Sequence, residues 1–574
     1  MSDDPLRNDT PDVPIDSARR VFMQNVAVSA AALIVAACGR ISDSSPSGAG
    51  SPPSGGGSSS PSISSVTPSS FLNAAAGIVI GGSNFGSHTG PAKVELGSSS
   101  NYGSATLVTQ TVTSWGASSI TVTVVEGALS TGTLYVFVTD SSGNVSSGLA
   151  VTLNAAGGDP YAQQAYQSGD LVFDPNAGSD GSGTLASPWN KLTKARIQSL
   201  SGTRLWCRQG SFPWPDVDTG GPIGTANARV QIASYPGEMI TFTFTDGSQL
   251  PPPETPPGAR LGGASYVDFH TVTLSCDNFG LALGETEKSS LGGSPSDNVR
   301  FIDCVGVRNS MSFTDNSAII YVFSTACCPV QIIRGRYSGT GGGSNSSLLW
   351  FDYTQNVLIL GALIDGGGCP IYFKHTDVND SATPGGIVQN CIIRNAGRKF
   401  AAALNWVQYL NNVFDNCTLA LDEDGGGLAG GNHCTLTRNT FLNSDITLDM
   451  TSGNVRGNNV LSNNVFAGTS TFQDNPFGAN GNYDQGNVSD YSAVAGVGTG
   501  HFYRNGTNRT LAAHQAAFSG QEVHGVAGTI TFVGGSTPGS TPSNWALANG
   551  STGKNAASDG MDCGVDASKL LTVN

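Results

Sequence analysis

Apolar and polar positions between residues 266 and 468 follow one short pattern that returns along the chain. The unit is an apolar triplet of β-type residues, such as Val272-Thr273-Leu274, followed by a small or polar residue that is most often Asn. Later copies end at Asn309, Gly335, Gly366, Asn395, Asn416, Asn443 and Gly468. The copies are spaced about 20 to 30 residues apart, a period typical of solenoids, and they lack helical periodicity. Because no single unit can bury its own apolar face, the pattern predicts an all-β, right-handed parallel β-helix.

Composition supports this fold class and excludes one class of partner. Charged residues make up 12% of the 574 positions, whereas Gly alone supplies 76, which is typical of extracellular all-β proteins with many turns. The formal charge of −15 gives no surface that attracts nucleic acid, so we expect no nucleic-acid partner. The same charge repels an acidic polymer unless a basic pocket or bound cations intervene.

The sequence has 11 cysteines, and their positions favour buried thiols over a disulfide scaffold. Cys is a small apolar residue that stacks well in a core. One or two disulfides, for example at the adjacent Cys327 and Cys328, are the alternative. No Cys/Cys or Cys/His spacing indicates a zinc site. The cysteines within or beside the repeated unit are Cys276, Cys304, Cys391 and Cys417.

Residues 1–38 read as a targeting segment. The stretch Ser17–Met23, with Arg19 and Arg20, resembles the twin-arginine export signal. An apolar stretch follows that is too short to span a bilayer, and Val35-Ala36-Ala37-Cys38 resembles a lipoprotein box. The resemblance implies that Cys38 is lipidated, so that the protein is exported and lipid-anchored to the outer membrane or cell surface. An ordinary cleaved signal is the alternative.

Two segments precede the repeated region. Residues 39–61 consist mainly of Ser, Gly and Pro and predict a flexible linker. Residues 62–155 alternate apolar and polar positions and contain Ile63–Pro68, Gly81–Gly86 and Trp115, which together resemble the IPT/TIG family of immunoglobulin-like domains. The resemblance implies a β-sandwich that acts as a spacer or binds carbohydrate or protein.

Residues 156–499 are assigned to the β-helix and residues 500–574 to a carboxy-terminal cap. Three phrases, Leu171–Asp180, Gly183–Trp189 and Thr203–Phe212, resemble the start of secreted pectate-lyase-like β-helix proteins. That resemblance implies a short helix within 191–200 that covers the amino-terminal end of the solenoid. The fold hosts polysaccharide lyases, hydrolases, epimerases and adhesins, so it does not select an activity.

The loop-rich stretch 369–399 contains the densest set of reactive side chains. A lyase acting on a uronic-acid polymer must neutralise the sugar carboxylate, remove the neighbouring proton and protonate the leaving oxygen. Lys374 is the candidate base, because lysine readily changes its protonation state when it is desolvated. The candidate catalytic residues are therefore Lys374, His375 and Arg398, and the candidate substrate-binding residues are Tyr372, Arg394 and Lys399.

Acidic residues in the same region suggest a cation. Carboxylates are hard oxygen ligands suited to Ca²⁺, although their spacing does not match an EF-hand. Asp422 and Asp424 alternatively supply the carboxylate pair of a glycoside hydrolase. Acidic residues before glycines also form ordinary turns, and a lone lysine on such a rung is often simply solvated. The candidate metal ligands are Asp377, Asp380, Asp422, Glu423 and Asp424.

Taken together, these features predict an exported protein that engages polysaccharide. The leading hypothesis is a lyase that cleaves an acidic glycan by β-elimination, with Ca²⁺ as a possible cofactor. One alternative is a non-catalytic carbohydrate-binding adhesin or structural β-helix. Another is a glycoside hydrolase or epimerase.

Overall fold

The computed structural model divides the chain into two compact units between Ala162 and Gln163. No helix within the described ranges is long and apolar enough to cross a membrane. The structure describes residues 60–67, 70–71, 78–125, 129, 132–153, 161–244, 259–277, 279–283, 294–309, 318–323, 327, 329–339, 347–374, 385–396, 406–422, 433–449, 458–475, 487–496, 498–504 and 507–571.

The first unit contains two sheets that share one apolar core. Side chains alternate along the strands, so that Ile78 and Ile80 are buried while Val79 is 39% exposed. All pairings are antiparallel except that of the short strand Ser70–Phe71 with Leu149–Leu153. One sheet comprises Ser62–Thr67, Ile78–Ser83, Ser119–Thr123 and Thr111–Trp115. The other comprises Ser70–Phe71, Leu149–Leu153, Gly132–Thr139, Lys93–Gly97 and Leu107–Thr109, and a 3-10 turn spans Tyr102–Ser104.

The second unit is a parallel β-helix, as the repeated pattern predicts. The chain visits a first, a second and a third side in turn, and each strand pairs in parallel with the strand one rung later. The first side is a 12-stranded sheet of Leu171–Phe173, Arg204–Cys207, Val230–Ser234, Val267–His270, Val299–Ile302, Val330–Ile333, Val357–Leu360, Gly386–Gln389, Val407–Leu410, Thr435–Thr437, Val460–Ser462 and Val488–Asp490.

The second side is also a 12-stranded sheet. Its strands are Gly210–Pro213, Ile240–Phe244, Thr273–Cys276, Val305–Arg308, Arg336–Gly339, Leu363–Gly366, Ile392–Arg394, Val413–Asp415, Thr440–Leu442, Val465–Ala467, Ala493–Ala495 and Val526–Gly528.

The described strands of the third side form two five-stranded sheets. One has Ala259–Leu261, Phe279–Leu283, Ala318–Phe323, Ser347–Asp352 and Cys369–Lys374. The other has Leu419–Asp422, Ile446–Asp449, Phe472–Asn475, Phe502–Arg504 and Thr507–Arg509, the last two forming an antiparallel pair.

Equivalent residues of successive rungs stack inside the helix. The rings of Phe414, Phe441 and Phe466 lie 4.8 and 5.3 Å apart and nearly parallel. Nine cysteines are free and buried, which matches the buried thiols that the sequence indicates. Burial raises the pKa of Cys304 and Cys391 to about 12, so neither forms a thiolate at neutral pH.

A ladder of buried asparagines links three rungs at the corner between the first and second sides. The Asn412 backbone N–H donates to Asn439 Oδ1 at 3.0 Å, and the Asn439 N–H donates to Asn464 Oδ1 at 2.9 Å. Each side-chain amide also donates to a carbonyl of the preceding rung, as Asn439 Nδ2 does to Tyr409 O at 2.9 Å. These bonds satisfy buried backbone groups at a point where sheet pairing stops.

The ladder does not involve the asparagines that end the repeated unit. Asn395, Asn416 and Asn443 instead occupy corners with φ of 49–55°. Asparagine tolerates this left-handed conformation better than most residues. The two sets of asparagines therefore have different physical causes.

Short elements close both ends of the helix. The helix Lys194–Gln198 begins after the capping residue Thr193 and buries Ile197 in the end of the core, within the range expected for a cap. The helix Leu511–Ala517 buries Leu511 at the other end. Beyond it, the chain to Leu571, including the 3-10 turn Pro542–Trp545, packs Trp545 and Val565 over the outer face of the second side.

A buried carboxyl group joins the last rungs to this carboxy-terminal segment. The Ser492 backbone N–H and hydroxyl both donate to the Glu522 carboxylate, at 2.9 and 2.7 Å. Burial raises the Glu522 pKa to about 7, and the Ser492 hydrogen bonds only partly offset this effect. The folded state therefore binds a proton at Glu522 more tightly than the unfolded chain does.

We expect Asn439→Ala to lower the free energy of unfolding by about 3 kcal/mol, because it leaves the buried Asn412 N–H and Tyr409 carbonyl without their partners. Denaturant unfolding of the full chain, followed by circular dichroism, measures this change. The matched control is Asn309→Ala, whose exposed side chain bonds Ser275 Oγ and whose loss should change stability by roughly 0.5 kcal/mol. Equal losses in the two variants would contradict the ladder's role.

Glu522 should make stability depend on pH. Its pKa rises from 4.5 in the unfolded chain to about 7 when folded, so its contribution is fully favourable below 4.5 and is lost as the pH rises through 7. Glu522→Gln keeps an accepting oxygen but cannot ionise. The melting temperature of the variant, relative to the parent, should therefore increase between pH 4.5 and 7. If the melting temperatures of the two proteins differ by the same amount at every pH in this range, the assignment is refuted.

Candidate functional site

The outer face of the third side carries the predicted residues Tyr372 and Lys374. Phe373 lies between them in sequence and points inward: its ring stacks on Phe351 at 5.1 Å, and a Cβ added at Gly386 of the first side would lie 2.7 Å from it. Because side chains alternate along a strand, Tyr372 and Lys374 face outward.

Three aromatic rings form a row on this outer face. Tyr321, Trp350 and Tyr372 are paired in register on successive strands, with ring centroids 5.1 and 5.2 Å apart. Trp350 and Tyr372 are each only 2% exposed. The row therefore packs beneath the strand ends. Tyr372 packs against Trp350, and its ring is too buried to contact a substrate directly.

Lys374 ends its strand beside this row. Its Nζ lies 5.9 Å from the centroid of Trp350, within the range of a cation–π interaction. The residue is half-buried, and its register partner on the preceding rung is the fully buried Asp352. The Tyr353 backbone N–H donates to the Lys374 carbonyl at 3.0 Å. The strand end that presents the ammonium group is thus held from the rung before it.

Arg394, predicted to bind substrate, lies on the second side in a column of charged residues. It stands in register between Asp365 and Asp415, and its Nε is 3.5 Å from Asp365 Oδ2. Burial raises the Asp415 pKa, and the Arg394 charge opposes this rise. Asn395 Nδ2 also donates to Asp365 at 2.8 Å.

The structure does not bring Arg394 and Lys374 together. Asp365, the register partner of Arg394, precedes the strand Cys369–Lys374, and Lys374 is the last residue of that strand. Five residue steps along a strand span roughly 16 Å. The role of Arg394 in substrate binding stays a prediction, while its neighbouring carboxylates already balance its charge.

Most of the other predicted site residues fall outside the part of the chain that the structure describes. For Asp422, the structure gives the backbone position at the end of the strand Leu419–Asp422. The remaining ones are Cys38, His375, Asp377, Asp380, Arg398, Lys399, Glu423 and Asp424.

Register places two further oxygen-bearing residues beside Asp422. Asp422 pairs with Asp449, and Asp449 pairs with Asn475, so that the three occupy one column where three third-side strands end. Asp352 and Lys374 end the third-side strands of earlier rungs. We call these five strand-end positions the carboxyl edge: Asp352, Lys374, Asp422, Asp449 and Asn475.

Charges of both signs therefore follow one another along the carboxyl edge. Lys374 and Asp422 are two rungs apart, since one first-side strand, Gly386–Gln389, separates their rungs. Two strand spacings amount to about 10 Å. Reading the sequence did not identify Asp352 or Asp449. The sequence feature that could have identified them is their position directly after strand-like stretches, Leu348–Phe351 and Ile446–Leu448. Lys374 follows Tyr372-Phe373 in the same way.

Within the described residues, no group of three His, Cys, Asp or Glu side chains could hold a metal ion. All predicted Ca²⁺ ligands have side chains beyond those that the structure describes. The backbone register of Asp422, Asp449 and Asn475 is compatible with hard oxygen ligands at one place.

No protein-family model and no curated protein matches the sequence. Three solved structures resemble the chain and are named as polysaccharide lyases. A mannuronic acid specific family 6 lyase from human gut microbiota has a TM-score of 0.36 and 9% identity over 59% of this chain and 86% of its own. A rhamnogalacturonan lyase has a TM-score of 0.34 and 13% identity, covering 69% of this chain and 99% of its own. An alginate lyase from Paenibacillus sp. str. FPU-7 has a TM-score of 0.25 and 11% identity, covering 56% and 98%. At these identities the likeness concerns architecture alone.

Proposed function

We propose that the protein engages an acidic polysaccharide and cleaves it by β-elimination at the carboxyl edge. The observation that carries this proposal is the position of Lys374, which lies one rung from the carboxylate of Asp352 and two rungs from Asp422. A lysine that has given up its proton can act as a general base, and neighbouring carboxylates can hold a cation that neutralises the substrate.

The reaction requires two proton transfers, one from the sugar carbon to the base and one from an acid to the leaving oxygen. A neutral Lys374 amine takes the proton from the carbon beside the uronate carboxyl group, forming an N–H bond. The electrons of that C–H bond form a carbon–carbon double bond, and the neighbouring carbon–oxygen bond breaks. The leaving oxygen then accepts a proton, for which His375 is the candidate donor.

The substrate carboxylate must be neutralised before its neighbouring proton becomes acidic. The protein carries a formal charge of −15, so a bound cation would reduce the repulsion of an acidic polymer. We propose Ca²⁺, held by oxygen ligands from Asp422 and Asp449 together with residues of the predicted acidic set. Arg398 or Lys399 would contact the same carboxylate. When bound, the cation withdraws electrons from the carboxyl group.

The location of this activity follows from the amino-terminal sequence. We propose that the protein is exported and anchored by a lipid on Cys38, with the Ser/Gly/Pro linker and the first unit, an IPT/TIG-like spacer, between the lipid and the β-helix. The membrane would then be contacted through the lipid alone.

Binding without cleavage is the second candidate function. The burial of Trp350 and Tyr372 favours it, because a closed aromatic row gives a substrate little room beside Lys374. In this alternative the polysaccharide is still the partner, but the residues of the carboxyl edge do not catalyse a reaction.

The full chain, incubated with pectate, alginate or a glycosaminoglycan, should produce an unsaturated sugar that is followed by ultraviolet absorbance. Lys374→Ala should reduce the rate at least about 100-fold, because a general base contributes roughly 10²–10⁴. The matched control is Lys191→Ala, at an exposed lysine on the amino-terminal part of the unit. Full activity of Lys374→Ala would reject Lys374 as the base, and no product from any substrate would favour binding alone.

Chelation should abolish the same activity, and added Ca²⁺ should restore it. Asp449→Asn should raise the Ca²⁺ concentration for half-maximal activity by about 10-fold, since removing one charged ligand weakens a hard-cation site. Asp303→Asn is the control, because that carboxylate pairs with Arg334 at the corner between the first and second sides. A rate that chelator leaves unchanged would exclude the cation.

A further inference from the structure

Several of the described corners through which rungs enter the first side have a left-handed backbone, although Pro329 and Gly385 occupy the same position without it. Six described residues at this position have φ between 53 and 58°: Tyr266, Asn298, Asn356, Trp406, His433 and Asn458. Asparagine is well suited to this conformation, whereas a bulky side chain is an outlier there. Tyr266 shows that the column accepts an aromatic residue. At the adjacent positions Trp406 and His433, histidine tolerates this conformation, whereas tryptophan suits it less well than Asn.

These two residues form a flat stack on the outside of the helix. Their ring centroids are 4.0 Å apart and their planes differ by 3°. Both side chains are half-buried, so part of each remains accessible to solvent. On the preceding rung the residue aligned with Trp406 is Gly385, which has no side chain to cover the other face of the indole.

Polar side chains lie beside the stack at matching positions. Gln408 and Thr435 follow Trp406 and His433 by two residues, and they are paired in register on the first side. Both are half-exposed, and neither makes a side-chain hydrogen bond to another residue within the described ranges. An amide and a hydroxyl are thus available next to a flat aromatic surface.

The stack belongs to a rung that carries part of the carboxyl edge. Trp406 lies directly before the first-side strand Val407–Leu410, and the third-side strand of the same rung ends at Asp422.

We propose that the stack of Trp406 and His433 is a sugar-binding platform for the acidic polysaccharide, an inference that rests on the proposed function. The apolar C–H face of a pyranose ring packs against the indole. Gln408 and Thr435 bond the ring's hydroxyl groups. The stack would then hold a sugar a few units away from the bond that is cleaved.

A substitution separates this role from a purely structural one. Asparagines occupy the equivalent corners at 298, 356 and 458, and Asn458 directly follows His433 in the column. Asn suits this left-handed backbone better than Trp does. The substitution Trp406→Asn should therefore maintain or raise stability while it removes the binding surface.

The decisive experiment measures calorimetric binding of galacturonate and mannuronate oligosaccharides to the full chain, together with its melting temperature. Trp406→Asn should weaken binding of at least one oligosaccharide by about 10-fold or more without lowering the melting temperature. Trp406→Phe should retain most of the affinity, and the control Lys191→Ala should bind like the parent. Where cleavage is observed, Trp406→Asn should raise KM with little change in kcat.

Two results would overturn the inference. One is unchanged affinity of Trp406→Asn, and the other is failure of the parent chain to bind either oligosaccharide. Binding that depends on Trp406 in a chain that cleaves nothing would instead refute the lyase reaction alone. The failures of the two proposals are thereby distinguishable.

Discussion

Parallel pairing in strict register between successive rungs is the constraint on which the structure depends. Each rung is too thin to contain a core, so its apolar residues are buried only by the rungs on either side. The stacked rings of Phe414, Phe441 and Phe466 and the ladder of Asn412, Asn439 and Asn464 express this constraint inside the helix. A shift by one residue would turn every inward side chain outward.

The same register determines what lies on the outside. Residues far apart in sequence become neighbours when they end equivalent strands, as Asp422 and Asp449 do. Lys374 and its register partner Asp352 lie on that edge because the strands that they end pair in register. This holds although the segments between the second and third sides differ in length in the two rungs. At the corners, by contrast, the residue type depends on which side chains tolerate a left-handed backbone. Trp406 and His433 differ from the asparagines at neighbouring corners because their rings stack on the outside of the helix.

The repeated apolar unit was sufficient to predict the parallel β-helix, because its period survives variation in the loops. The asparagines that end the repeated unit suggest a corner ladder of side-chain to backbone hydrogen bonds, but the buried ladder in the structure consists of other asparagines. Asn395 and Asn416 end apolar triplets, but they satisfy left-handed corners, whereas Asn412 follows a different corner and points into the core. Both positions favour the same residue type, so the sequence does not separate them.

The candidate site was predicted in part. Lys374 could be identified from its chemistry and its place at a strand end. The other carboxyl-edge residues Asp352 and Asp449 could not, since their place on the edge depends on strand register and on loop lengths that differ from rung to rung. Arg394 looked close to Lys374 in sequence, but a complete third-side strand separates their positions on the helix.

A crystal structure of the Lys374→Ala variant with an acidic oligosaccharide tests the central claim most directly. The account predicts one continuous sugar chain that crosses the carboxyl edge, with a uronate carboxyl group near residue 374 and a pyranose ring against Trp406. A sugar chain bound on the second side, or along a helix whose rungs pair in another register, would contradict it.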